Sequence, residues 1–249
     1  MTERAPSQEL ERLHKVIANA GITSRRKAEL LIQEGRVSVN GKVVMQMGTM
    51  VGPEDMVSVD GLVVPRASRY VYVILNKPKG YVTTMDDPQG RAVITQLLPD
   101  LGVVLKPVGR LDRDTEGLLL CTNDGQLASR LSHPRYGVQK EYEVSLHGEL
   151  DARQQKRLET GVFIDGRKTA PAKVEVISIG EGRSRIRMTL QEGRNRQIRK
   201  MGDAVGHPVT ALRRVRYGPL VLKRLPVGGC RTLGVPEVAL LRKLVGLKD

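Results

Sequence analysis

The segment Gly109-Arg110-Leu111-Asp112-Arg113-Asp114-Thr115-Glu116-Gly117 runs directly into Leu118-Leu119-Leu120. A short unbroken apolar run bounded by turn residues reads as a strand buried in a sheet. Three acids and two arginines are therefore held between glycines at the entrance of a buried strand, where a rigid scaffold can fix a carboxylate in a charged pocket. Three readings of this loop are open. A calcium loop needs spaced oxygen ligands and a closing bidentate Glu, but the closing position here is Asn123, and Leu118 to Cys121 read as core. The acids can also be turn residues paired with Arg110 and Arg113 at the surface. In the third reading one of them is a nucleophilic or general-base carboxylate.

A chain of 249 residues exceeds the usual size of one domain, so two cores are expected. Lys and Arg number 41 against 27 Asp and Glu, a formal net charge of +14. Residues 1–69 contribute only ten basic and eight acidic side chains, whereas Arg183 to Arg224 holds twelve basic residues against Glu192 and Asp203. Such clustering predicts a surface for a polyanion, whose bound counterions are released as phosphates are neutralised. Aromatic residues are 3% of the chain, too few for a base-stacking platform, so a partner held by backbone and shape is expected. No apolar run approaches the roughly 20 residues that span a bilayer. Six of the first fifteen residues are charged, which leaves no signal-peptide core. Cys121 and Cys230 lack the spacing of a disulfide framework or zinc finger, and a cytosolic protein is expected.

Leu10, Leu13, Val16 and Ile17 predict a helix over 10–19, ended by Gly21. Thr23 or Ser24 can cap a second helix through Ile32, with Gly35 at the left-handed position beyond it. Asn40-Gly41 and Asp60-Gly61 each sit between valine-rich alternations and predict two tight hairpins. Arg25, Arg26 and Lys27 open the second helix. They oppose one another and the helix dipole, so phosphate binding explains them better than stability does. The run ERLHKVIANAGITSRRKAELLIQEGRVSVNGKVV, within residues 10–60, resembles the alpha-L RNA-binding domain found in ribosomal protein S-four. Domains are expected at 1–64 (alpha-L) and 70–249 (catalytic), with Pro65 to Arg69 as linker.

GRLDRDTEGLLLCTNDG resembles the signature of the RsuA/RluB/RluE/RluF family of pseudouridine synthases, and LNKPKGYVTT, KEYEV, EGRNRQIRKM and ALRRVRYG follow the family's order. Cys121 stands where the family usually has an aliphatic residue. The resemblance implies an α+β fold: the alpha-L domain, then a catalytic domain on a mixed, mostly antiparallel sheet with its cleft across the middle. It implies a reaction that detaches uracil from ribose and rejoins it through carbon 5, with no cofactor and no metal. No HExxH, paired CxxC, phosphate-loop or dinucleotide motif is present.

The family's catalytic Asp corresponds to Asp112, and a flipped-out uridine must reach it. The resemblance assigns Arg199 as the cation that keeps that carboxylate ionised, Tyr142 as the active-site tyrosine and Leu212 as an apolar wall. Asn195 to Val205 reads as a helix with Ile198, Met201 and Val205 on its buried stripe. Arg196 and Lys200 on that helix, and Arg110 and Arg113 beside Asp112, are candidates to hold phosphates. From spacing alone, Tyr142 also fits as a core residue of an alternating strand. The expected partner is ribosomal RNA, free or in an assembly intermediate, met by a monomer with no membrane contact. The region around the alpha-L domain looks most like the B-type enzymes of the family that act on the large ribosomal subunit, which implies 23S RNA. A 16S-specific enzyme and a non-catalytic RNA-binding assembly factor are the alternatives.

Overall fold

The computed structural model describes residues 10–66 and 69–247. These divide into two compact units: one ends at Val71 and includes Asp100–Leu105, and the other holds Tyr72–Pro99 and the chain from Lys106 onward. No sequence signal marked Asp100–Leu105 as part of the first unit.

In the first unit, helix α1 (Leu13–Asn19) is followed by α2 (Arg25–Gln33) and a four-stranded sheet. Its strands are β1 (Val37–Val39), β2 (Lys42–Val43), β3 (Val57–Val59) and β4 (Leu62–Val63), in the order β2-β1-β3-β4. The helix does not begin at Leu10. That residue is exposed, Glu11–Arg12 pair with Met50–Val51, and the Leu13 amide donates to the Thr49 carbonyl, so the chain is extended up to the helix start. Ser24 caps α2 by accepting from the Lys27 amide at 3.3 Å. Asn40-Gly41 (φ 52°, 78°) and Asp60-Gly61 (φ 49°, 79°) both turn through positive φ, which closes two-residue hairpins with the twist of their strands. Leu13, Ile17, Ala28, Ile32, Val37 and Val57 fill the core.

The second unit is built on a nine-stranded sheet. Its main strands are β5 (Tyr72–Lys77), β6 (Glu116–Thr122), β7 (Lys140–His147), β8 (Lys173–Gly180), β9 (Arg183–Leu190), β10 (Val209–Tyr217) and β11 (Cys230–Thr232). They lie in the order β8-β9-β7-β10-β6-β5-β11, with Lys106–Pro107 and Leu220–Val221 pairing onto β6 and β10. The β6–β10 pair is parallel and the other pairs are antiparallel, which gives the mixed, mostly antiparallel sheet of an α+β fold. Leu118–Cys121 and all of β5 are buried, as an unbroken apolar strand requires. Gly117 (φ 108°) is needed where β6 meets β10, because a Cβ there would collide with the Arg214 backbone.

Helices α3 (Gly125–Ser132), α4 (Ala152–Thr160), α5 (Gln197–Ala204) and α6 (Val235–Leu244) complete this unit. Among the described residues, no helix is long and apolar enough to cross a membrane. Val144, Leu146, Ile186, Met188, Leu190 and Leu212 point to one side of the sheet, where Ile198 and Met201 of α5 cover them. Helix α5 starts two residues later than the sequence predicts. Arg196 takes a left-handed conformation (φ 51°), so Asn195 and Arg196 stay outside the helix.

Candidate active site

The loop that precedes β6 is fixed from below by a residue given no role by the sequence reasoning. Lys77 ends the buried strand β5, and its side chain is wholly inaccessible. Its Nζ donates to the carbonyls of Asp112 (3.0 Å), Thr115 (2.9 Å) and Pro78 (3.1 Å). Burial pushes this ammonium down to about 8, and the nearby carboxylates of Asp114, Asp112 and Glu116 resist the fall. Thr83 Oγ1 donates to the Leu111 carbonyl (2.7 Å) and accepts from its amide (3.3 Å), and the Thr115 amide closes a turn onto the Asp112 carbonyl (3.0 Å). The signal for Lys77 was present, since a lysine ending an apolar strand needs buried acceptors.

Asp112 emerges from this scaffold half-buried, at the wall of a cavity of about 410 Å³. Tyr142 from β7, Leu212 from β10, Arg110 from the loop and Arg196 from before α5 line the same cavity. Tyr142 is half-buried and sits in register between Arg214 and Met188, with its side chain on the cavity side of the sheet. Leu212 is buried and joins the apolar cluster.

Other candidates lie elsewhere. Arg199 does not meet Asp112. Its Nη2 pairs with the Asp114 carboxylate at 3.0 Å and donates to the Asp114 carbonyl, and its Nη1 donates to the Val209 carbonyl. Arg196 also pairs with Asp114, at 3.4 Å, so the second acid of the loop takes both arginines. Among the described residues, no cation pairs with the Asp112 carboxylate. Arg113 turns away from the cavity and donates from Nε to the Gly80 carbonyl (3.0 Å), while its own carbonyl accepts from the Gly80 amide. Lys200 is bound to Asp165 at 2.6 Å. Arg25, Arg26 and Lys27 are exposed at the start of α2 in the first unit.

The basic block from Arg183 to Arg224 is not one surface. Strand alternation divides it. Arg214 is buried on the cavity side, whereas Arg187 and Arg216 lie on the other face among Glu141, Glu143 and Glu175. A larger hollow of about 660 Å³, lined by Ser145, His147, Arg183 and Arg185, also opens on that other face, away from Asp112. Among the described residues, the cavity at Asp112 brings together a carboxylate, an aromatic ring, an apolar wall and cations. Among the described residues, no cluster of three or more His, Cys, Asp or Glu is placed to hold a metal ion.

A family model for RNA pseudouridylate synthases matches residues 71–204, and one for the S4 domain matches residues 11–57. The chain belongs to the RNA pseudouridylate synthase family. It is 45% identical to ribosomal large subunit pseudouridine synthase B of Bacillus subtilis, over 94% of this chain and 97% of that one. The protein of the same name from Pseudomonas aeruginosa is 41% identical over 96% of this chain and 63% of its own length. A crystal structure of a pseudouridylate synthase superposes with a TM-score of 0.67 at 32% identity, covering 92% of this chain and 99% of that one. This family membership gives the chain its reaction class: an RNA uridine is isomerised by an enzyme that also carries an S4-type RNA-binding domain.

Proposed function

We propose that this pseudouridine synthase converts a uridine of large-subunit ribosomal RNA, using Asp112 as the reacting carboxylate. The observation that carries the reading is the unpaired carboxylate of a rigidly pinned residue, facing a cavity of one-nucleotide scale. The names of the similar proteins from Bacillus subtilis and Pseudomonas aeruginosa support the large subunit as target. We place the RNA-binding module at residues 1–64, a linker at 65–69 and the catalytic domain at 70–249, acting as a monomer in the cytoplasm on free or assembling RNA.

Reaching the carboxylate requires the uridine to leave its stack, and the mouth of the cavity offers Arg110 and Arg196 to the phosphates on either side. Tyr142 supplies a ring face for the base and a hydroxyl within the cavity. Leu212 excludes water from the reacting edge. Arg199 acts one step removed: by holding Asp114 it fixes the loop that carries Asp112. Arg25, Arg26 and Lys27 give the RNA-binding module its phosphate contacts.

Transcripts of large- and small-subunit ribosomal RNA, tritiated at carbon 5 of uridine, test the reading. The native protein releases tritium from the large-subunit transcript and not from the small, and Asp112→Asn lowers the release by a thousandfold or more, on the order expected for loss of a reacting group. Release from the small-subunit transcript alone overturns the target. Unchanged release by Asp112→Asn overturns the assignment of the carboxylate.

A further inference from the structure

Arg214 has none of the roles described above, and it is a buried cation in the cavity wall. It is 2% exposed, yet among the described residues no carboxylate pairs with it. Its Nε donates to the Leu118 carbonyl at 2.7 Å, and the guanidinium carbon lies 5.0 Å from the centre of the Tyr217 ring. Its Nη2 is buried with no hydrogen-bond partner. A buried charged donor left unmet is expensive; Arg187, Arg199 and Arg213 also carry one, but among these four Arg214 is the one that lines the Asp112 cavity, where a ligand can bring the acceptor. Lys140, in the same wall, is held below its usual range by burial and then by the charge of Arg214.

The position of this donor decides what it meets. Arg110 and Arg196 are exposed, Arg196 in a surface pair with Asp114, whereas Arg214 is buried beside Leu212 and Tyr142. A phosphate buried at such depth would need several donors, but a neutral carbonyl needs only one. We propose that Arg214 reads the carbonyl edge of the uracil ring and holds that edge again after the ring has turned. The proposal rests on the cavity being the uridine site.

The chemistry explains why one fixed donor suffices. In the isomerisation the bond from ribose C1′ to N1 breaks, a bond from C1′ to C5 forms, C5 loses a proton and N1 gains one, with no net oxidation or reduction. Turning the ring about the line through N3 and C6 exchanges N1 with C5, and in the same motion exchanges O2 with O4. A donor that meets one carbonyl before the turn therefore meets the other after it, and the detached base stays bound. Cytosine has an amino group in place of O4, so it presents a donor to a donor in one of the two orientations. Arg214 thus selects uridine over cytidine as well as retaining the free base.

The test uses the full chain with Arg214→Gln and Arg214→Lys, thermal unfolding to confirm folding, and large-subunit transcripts carrying uridine, 2-thiouridine or 4-thiouridine. Isomer formation is followed by nuclease digestion and chromatography. Arg214→Gln should lower kcat about 100-fold, as expected for one preorganised donor, with KM for the RNA changed less than about threefold. Sulfur at either position, a weak acceptor, should slow the native protein about tenfold and cost the Gln variant nothing further, because the contact is already gone. Where the Gln variant fails to fold, Arg214→Met takes its place, because lysine keeps a cationic donor and serves only as the conservative comparison. Unchanged turnover in folded Arg214→Gln or Arg214→Met overturns the proposal, as does a sulfur penalty of equal size in the native protein and that variant. A raised KM with flattened salt dependence and intact kcat overturns it by making Arg214 a phosphate contact. Native rates on both thio transcripts overturn it whatever the variants do. Failure of the native protein to convert any ribosomal transcript overturns instead the functional reading on which the proposal rests.

Discussion

The two faces of the central sheet are made by alternate residues of the same three strands, β7, β9 and β10, yet the charges around Arg187 on one face and around Asp112 on the other are arranged in opposite ways. On the outer face Arg187 lies among three carboxylates, at 3.5 Å from Glu141 and 3.8 Å from both Glu143 and Glu175, and Glu141 also meets Arg216 at 3.5 Å. Every positive charge in that group has a partner at the surface. On the inner face Asp112 has no cation, and the buried Arg214 has no anion and an unmet Nη2. Neutralised charge is what a solvated sheet face tolerates at little gain. Unneutralised charge around a cavity is what a ligand completes. Density of basic residues along the chain does not separate these two clusters, whereas strand parity and pairing do.

Outside the cavity wall itself, a substitution beneath the Asp112 loop should cost most. Lys77→Met removes three donors from under the Asp112 loop, and kcat should fall about 100-fold, the cost of a misplacement of about 1 Å; a smaller loss than tenfold would show that the loop holds its shape unaided. The same lysine gives a pH signature. It titrates near 8 in the fold and at 10.5 when exposed, so between these values the unfolded chain binds more protons and this residue makes stability rise with pH. The cost of burying its charge is fully present below about 8. Turnover should move the opposite way, declining above about pH 8 as a donor to the loop is lost, while urea unfolding at the same pH shows no loss of stability from this group. Next in size, Arg25→Ala with Arg26→Ala should weaken binding of the RNA about tenfold and make the salt slope shallower by between one and two; an unchanged slope would remove the phosphate role of α2. Arg187→Gln on the outer face should change turnover less than twofold and stability by no more than about 0.5 kcal/mol. A large loss of turnover there would erase the distinction between the faces.

Where local chemistry dominates, the sequence was legible. Asn40-Gly41 and Asp60-Gly61 turn as their positive φ requires, Ser24 caps its helix, and Leu118 to Cys121 are buried. Asp112, Tyr142 and Leu212 meet at one cavity from separate parts of the chain. Long-range pairing was not legible. Nothing near Arg199 signals that Asp114, 85 residues away, captures its guanidinium. Leu10 fits the helical stripe by spacing, but pairing of Glu11–Arg12 with Met50–Val51 keeps the backbone extended there. Lys77 and Arg214 carried a readable signal. Lys77 ends a wholly buried strand and Arg214 follows the buried Leu212 on the same strand face, and such a cation must be explained by its acceptors or by its ligand.

The most direct test is a crystal structure of the Asp112→Asn protein bound to a large-subunit RNA fragment containing the target uridine. We expect the uridine out of its stack and inside the Asp112 cavity, its ring against Tyr142 and Leu212 and a carbonyl oxygen within hydrogen-bonding distance of Arg214 Nη2. A uridine still stacked in the RNA over an empty cavity, or seated in the hollow at His147, Arg183 and Arg185 on the other face, would contradict it.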